Sequence, residues 1–228
     1  MRSPTCTLAL SVIALALPTP ALRAGDPTIA WTQQFGTPEH ESATGVSTDG
    51  LGHVYITGFT SSDLGGPSAG GYDAFVSKFD ASGTLLWSRQ WGTAMTDRGL
   101  SVSADGLGHV YIAGETEGSR DADMFISKYD ESGTLLWNRQ FGTASYEYTG
   151  GVSADGHGHV YFGGSTVWPH YDAFISKYDS SDTLLWNQRL RVADAWTGAS
   201  GVSVDGLGSV YLTGRVGDDL RESDAFIS

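Results

Sequence analysis

The sequence predicts an all-β fold, a β-propeller of four four-stranded blades, and three observations lead there. The string Asp-Gly-x-Gly-x-Val-Tyr recurs at Asp49, Asp105, Asp155 and Asp205, at intervals of 56, 50 and 50 residues. Each interval holds four strand-like runs. The composition fits short strands and many turns: 31 glycines in 228 residues, 11% aromatics and only 17% charged residues. Glycine, threonine, valine and the aromatics are poor helix formers, which argues against a helical bundle. With 40% hydrophobic residues the chain is also too apolar for disorder.

One repeat resolves into strands a to d. Gly99 to Ser103 carries small side chains suited to the innermost strand (a) beside a narrow channel. His109 to Gly114 is β-branched and aromatic (b), as a buried strand requires. Asp123 to Tyr129 alternates Met, Phe and Ile with Ser and Lys (c), and Thr134 to Phe141 carries Trp137 and Arg139 at the outer edge (d). The a–b turn Asp105-Gly106-Leu107-Gly108 pairs a capping Asp with glycines free to take positive φ. Asp130-Glu131-Ser132-Gly133 joins c to d in the same style, with Asp182 in the glycine's place in a later copy. Thr-Leu-Leu-Trp ends at Trp87, Trp137 and Trp186, and a weaker Thr-Ile-Ala-Trp ends at Trp31.

Residues 1–24 read as a signal peptide: Arg2, then an apolar run from Leu8 to Leu17, too short to span a bilayer. Cleavage after Ala21 or Ala24 would remove the single cysteine, Cys6, and leave neither disulfide nor thiol chemistry. The protein is therefore expected to be exported, to the periplasm, cell surface or exterior, without membrane insertion after cleavage. The repeats fill residues 25–228, in approximate units 28–80, 81–130, 131–179 and 180–228. Counting from Thr28 there are sixteen candidate strands. A closed four-bladed ring follows if the Trp31 strand completes the last blade; the favoured alternative is an arc of a truncated, larger propeller. The net charge of −13 makes nucleic acid a poor partner.

Repeated residues are expected to be scaffold. Asp49, Asp105, Asp155 and Asp205 are structural turn residues. His53, His109 and His159 follow those turns and are read as residues that tolerate positive φ rather than as a metal ring. Asp73, Asp123, Asp172 and Asp224 recur once per blade and suit the start of strand c, not a catalytic pair around one bond. Lys78, Lys128 and Lys177 share one position on strand c and are read as salt-bridge partners. No metal and no cofactor are expected; calcium at the turns is a weak alternative, because the Asp-x-Asp-x-Asp spacing of a calcium loop is missing.

These motifs resemble the bacterial SBBP β-propeller repeat family, whose units look like DGxGxVYxxG followed by DAFxSKxDxSGTLLWxRQxG. The resemblance covers most of the chain and is tightest in the two middle repeats, with an NHL-like strand order. It implies an exported or surface-associated repeat protein and brings no catalytic residues with it. The fourth repeat departs at Asp182 and at Arg189-Leu190-Arg191, where the earlier copies read Arg-Gln-aromatic-Gly-Thr.

Function is sought in what does not repeat. The Trp-to-Asp spacing from d to the next a–b turn is 18, 18, 18 and 19 residues, whereas the a–b Asp to strand c spacing is 24, 18, 17 and 19. Length variation thus lies in the b–c loops, residues 59–72, 115–122, 165–171 and 215–223, which emerge with the d–a loops on one face. Individual loops on a rigid scaffold carry binding residues. The candidates are Tyr146, Tyr148, Trp168, His170, Tyr171, Trp196, Arg98 and Arg120, among the acidic Glu115, Glu117, Asp121, Asp218 and Asp219. The tryptophans have a structural alternative, as plugs between blades. The expected function is a non-catalytic binding or scaffold module taking a protein or glycan ligand. The alternative is a propeller enzyme, quinoprotein-like or glycan-cleaving, of which this chain is an N-terminal part.

Overall fold

The computed structural model describes residues 29–118, 121–143, 145–167, 171–218 and 223–228. The signal peptide lies outside them, as do Arg120, Trp168, His170 and Asp219. The chain divides into two compact units, Met1–Phe35 and Gly36–Ser228. In the first, residues 29–35 form no strand.

The second unit is all-β, with four antiparallel sheets built in chain order. Sheet I holds β1 (Glu41–Thr48), β2 (Val54–Thr60), β3 (Asp73–Phe79) and β4 (Leu85–Trp91). Sheet II holds β5 (Asp97–Ala104), β6 (His109–Glu117), β7 (Ala122–Asp130) and β8 (Leu135–Phe141). Sheet III holds β9 (Glu147–Ala154), β10 (Val160–Thr166), β11 (Asp172–Tyr178) and β12 (Leu184–Leu190). Sheet IV has three strands, β13 (Trp196–Val204), β14 (Val210–Gly217) and β15 (Asp224–Ile227).

Strands a to d of the sequence reading are thus the four strands of one sheet, in that order. The expected sixteenth strand around Trp31 is not formed, and fifteen strands are present among the described residues. No closed ring is formed among them. The sheets break after their outer strands, so the units 81–130 and 131–179 each begin on the outer strand of one sheet and finish on the third strand of the next.

Two irregularities repeat and explain odd positions in the motif. The a–b ladder skips Thr44, Leu100 and Ser200 in sheets I, II and IV, a bulge beside the glycine that ends Val-Tyr-x-x-Gly. At Gly58, Gly114 and Gly214 an added Cβ would collide with the carbonyl oxygen of Ser42, Arg98 and Gly198 on the neighbouring strand. Only glycine permits that approach. The c–d ladder skips Leu86 and Leu136, which accounts for a second leucine in Thr-Leu-Leu-Trp that stays exposed.

The sheets pack face to face in succession. Tyr55, Ala74 and Val76 of sheet I meet Val102, Val110, Ile112 and Phe125 of sheet II. Tyr111, Ala113, Met124 and Ile126 of sheet II meet Val152, Val160, Phe162 and Phe174 of sheet III. Burying such side chains contributes about 1.5–3 kcal/mol each. The third junction is smaller, with Ala173 against Ala199 and Leu212. Hydroxyls zip the innermost strands together: the amides of Ala104, Ala154 and Val204 donate to Ser47, Ser103 and Ser153 Oγ at 3.0, 3.0 and 3.1 Å.

Candidate functional site

The two rims of the sheets differ in what they can do. On the a–b rim each Asp closes its own turn. The amides of Leu107 and His109 donate to Asp105 Oδ1 at 2.8 and 3.0 Å, and the pattern repeats at Asp49, Asp155 and Asp205. Gly106 and Gly108 take φ of 67° and 95°, as their place in the turn demands.

The histidines correct the sequence reading. None of them has positive φ; among the described non-glycine residues only Asp182 and Asp194 do. Instead the ring Nδ1 of His53, His109 and His159 lies 2.6, 2.8 and 2.8 Å from Oδ2 of its own turn Asp. An ionised carboxylate only accepts, so Nδ1 carries the proton in each pair. Burial alone would raise the Asp49 and Asp155 carboxyls, but these hydrogen bonds outweigh it and hold both below the usual carboxylate range. All four turns line one cavity of about 440 Å³, whose carboxylates are already committed to the turns. Among the described residues, no three His, Cys, Asp or Glu side chains are gathered as a metal site.

Of the lysines read as salt-bridge partners, one meets that reading and another does not. Lys78 Nζ stands 3.5 Å from Glu131, but Lys128 donates to the Ser180 carbonyl at 3.1 Å. What recurs is a row across strands b, c and d. Tyr55, Lys78 and Trp87 are register neighbours, as are Tyr111, Lys128 and Trp137, and Tyr161, Lys177 and Trp186. Each ammonium sits 5.2–5.4 Å from the tyrosine ring centre.

The Asp at the start of strand c ties sheet to loop: Asp73 accepts from the Ala69 amide and from Gln90 Nε2, and Asp123 from Gln140 Nε2. In sheet III Asp172 instead accepts from Arg191 at 2.6 Å, so the departure at Arg189-Leu190-Arg191 supplies a cation to the same carboxylate. A further carboxylate escaped the sequence reading. Glu41, Asp97 and Glu147 each accept from the backbone and hydroxyl of Thr37, Thr93 and Thr143, four residues upstream. The repeated Gly-Thr followed by an acid was the available signal.

The opposite rim is individual, and it holds two adjoining clefts. The first, about 440 Å³, is lined by Glu115, Glu117, Asp121, Tyr146 and Tyr148. The second, about 300 Å³, is lined by Tyr148, Ser165, Tyr171, Trp196 and Arg215 among others. Tyr148 belongs to both. Its ring stacks on Tyr171 at 6.2 Å between centroids, and Tyr171 meets Trp196 edge-on at 5.4 Å. Four predicted residues, Tyr146, Tyr148, Tyr171 and Trp196, therefore come together. Tyr146 and Tyr148 present 50% and 42% of their surface to solvent.

Arg98 borders this group without joining it. Its guanidinium donates to Glu117 at 3.1 Å and lies over the rings of Phe59 and Tyr72. His40 stacks on Phe59 there, forming an aromatic cluster that sequence reasoning missed. Its signal was the residue after Val-Tyr-x-x-Gly, which reads Phe59, Glu115, Ser165 and Arg215 along the chain. That position lies one or two residues before the end of strand b in every sheet.

Glu115 is the chemically distinctive side chain of the first cleft. Burial pushes its carboxyl up, partly offset by the Thr149 amide, which donates to Oε1 at 3.0 Å, and by the Arg98 charge. Tyr171 is also raised, by burial and by the neighbouring Tyr148. Exposed phenol faces beside carboxylates can stack on a ring and accept hydroxyl or ammonium protons. A nucleophile, its base and an orienting group are not assembled among the described residues.

Comparison with known proteins gives one family. Residues 30–65 match the family described as SBBP, beta-propeller repeat. No curated protein matches the chain. Among solved structures, the tail fiber of Staphylococcus aureus phage P68 aligns with a TM-score of 0.35 at 10% identity. That alignment covers 85% of this chain and 50% of the tail-fiber chain, so the match spans half of the tail-fiber chain's length.

Proposed function

From a chain that carries the SBBP β-propeller repeat, we propose a non-catalytic binding module, exported from the cell, that takes a glycan on its variable rim. The observation that carries this reading is the pair of half-exposed tyrosines, Tyr146 and Tyr148, beside Glu115, Glu117 and Asp121 in one cleft. Tyrosine faces stack on the apolar faces of sugar rings at low conformational cost, and carboxylates accept from sugar hydroxyls. The negative rim and the overall charge of −13 disfavour acidic polysaccharides, so the ligand is a neutral or amino sugar.

The repeat itself supports a structural or binding role, and Glu115 has a structural use in holding the Thr149 amide. Calorimetric titration with neutral and amino-sugar oligosaccharides tests the reading. Binding without turnover, lost in Tyr148→Ala, is the expected result. Turnover abolished by Glu115→Gln would replace it with the glycan-cleaving alternative, and binding only to peptides would replace the ligand class.

A further inference from the structure

We propose that the cavity between sheets II and III is a second binding site, which takes a small aromatic carboxylate. Its volume is about 450 Å³, within the range of small-molecule sites. It shares no lining residue with the two clefts of the variable rim. The packing of this junction differs from that of the one before it. Between sheets I and II the indole of Trp91 lies 4.7 Å from the Phe125 ring. In the next junction Phe141 takes the place of Trp91 and leans on Phe162 and Tyr178, at 5.4 and 6.1 Å between centroids. Met124 takes the place of Ala74 and sets its sulfur against Gly164. The smaller phenyl leaves room for a flat ring among Phe141, Phe174 and Tyr178, which all line the cavity.

The charge at this cavity comes from the departure in the fourth repeat. Gln90 and Gln140 hold the position of Arg189 in the earlier sheets, and each donates to its strand c carboxylate, Asp73 or Asp123, at 2.7 Å. In sheet III Arg191 performs that duty, 2.6 Å from Asp172, and Arg189 stays 3.9 Å away. The Arg189 side chain is half exposed and lines the cavity. Of the other charged residues lining it, Arg139 is committed to Asp182 and Glu147 to the amide and hydroxyl of Thr143. Arg189 is therefore the charge open to a ligand, and its guanidinium fork matches a carboxylate. Glu147 begins β9, three strands from β12, which is roughly 14 Å at the usual strand spacing. Its repulsion at that distance is a fraction of the attraction at contact. The net charge of −13 is screened over about 8 Å in physiological salt. Thr166 supplies a second polar contact: it is 8% exposed, lines the cavity and makes no side-chain hydrogen bond among the described residues. Its counterpart Thr60 donates to Glu41 at 2.9 Å. The Thr166 hydroxyl is thus left to receive a polar atom of the ligand.

Calorimetric titration of the full chain with 2-naphthoate in physiological salt tests the proposal, with 2-naphthylmethylamine as a cation on the same ring system. The acid should bind once per chain and the amine should bind at least about tenfold more weakly. Arg189→Gln restores the residue of the earlier sheets and should weaken 2-naphthoate binding by about tenfold or more. Phe141→Trp restores the indole of the earlier junction and should abolish binding by filling the cavity. Circular dichroism checks that both variants fold, and each reads the site independently of the other. A wild type that takes up no 2-naphthoate at millimolar concentration overturns the proposal. So does binding that survives both variants, or an amine that binds as well as the acid. Binding that is lost in Tyr148→Ala instead belongs to the rim cleft and overturns it too.

Discussion

Arg139 reaches from the outer strand of sheet II to the c–d turn of sheet III, where its Nη2 meets Asp182 Oδ2 at 2.7 Å. One sheet earlier Arg89 makes the same reach to the carbonyl of Gly133 at 2.8 Å. Asp182 holds φ of 71°, where glycine is the easier residue, and receives an ion pair in exchange. The Asp182→Gly variant should therefore be nearly neutral. It relieves roughly 1 kcal/mol of backbone strain and loses a half-exposed pair worth about the same or less. Asp182→Ala relieves no strain and loses the pair, so urea unfolding should show it less stable by about 1 kcal/mol.

The turn carboxylates predict a graded series. Asp105 is 5% exposed and accepts two amides and one imidazole. Removing it leaves part-buried donors without their acceptor, so Asp105→Ala should cost on the order of 1–3 kcal/mol in urea unfolding. Asp205 holds its two amides without a histidine, because Ser209 replaces it, and lies nearer to solvent. Asp205→Ala should be clearly milder. Equal losses at the two sites would contradict the account of the histidines.

Acid stability follows from the same turns. Asp49, Asp155 and Asp205, with Asp80, Asp130 and Asp179 in the c–d turns, all have carboxyls held below their ordinary value of 3.8. Groups depressed on folding contribute stability that is fully present above the unfolded value and lost as pH falls through the folded one. Thermal midpoints should hold steady from neutral pH to about 5 and fall steeply below about 4. A midpoint that rose on acidification through that window would reverse the sign.

Scaffold and site were legible to different degrees because they are written differently. The turn Asp, its glycines and the strands repeat with the fold, so periodicity alone assigned them. The repeat could not show that His109 pairs with Asp105, since a partner four residues away and a positive-φ residue leave the same letter after the turn. The Trp31 segment was read as a strand from its likeness to the Trp87 repeat, and residues 29–35 form none. On the variable rim Tyr146, Tyr148, Tyr171 and Trp196 stood out as unrepeated aromatics. Phe59 and Tyr72 did not, although they bound the first variable b–c loop, and only the packing of Arg98 over both rings sets them apart.

The binding cleft yields the last prediction. Tyr148 lies half exposed at the junction of both clefts, so Tyr148→Ala should weaken oligosaccharide binding by about tenfold, a stacking loss near 1.4 kcal/mol. Tyr148→Phe keeps the ring and should stay within about threefold. Glu115 adds a pH signature. Its carboxyl is raised above 4.5 by burial, and only the ionised form accepts from two hydroxyls at once. Affinity should therefore begin to fall, as pH is lowered, at a pH above that of an ordinary glutamate. In Glu115→Gln the affinity should be lower at neutral pH and flat across that window. Calorimetry at pH steps from 7 to about 4 reads both, above the acid limit set by the turn carboxylates. A wild-type profile as flat as that of Glu115→Gln would remove Glu115 from the site and leave the tyrosines to carry recognition alone.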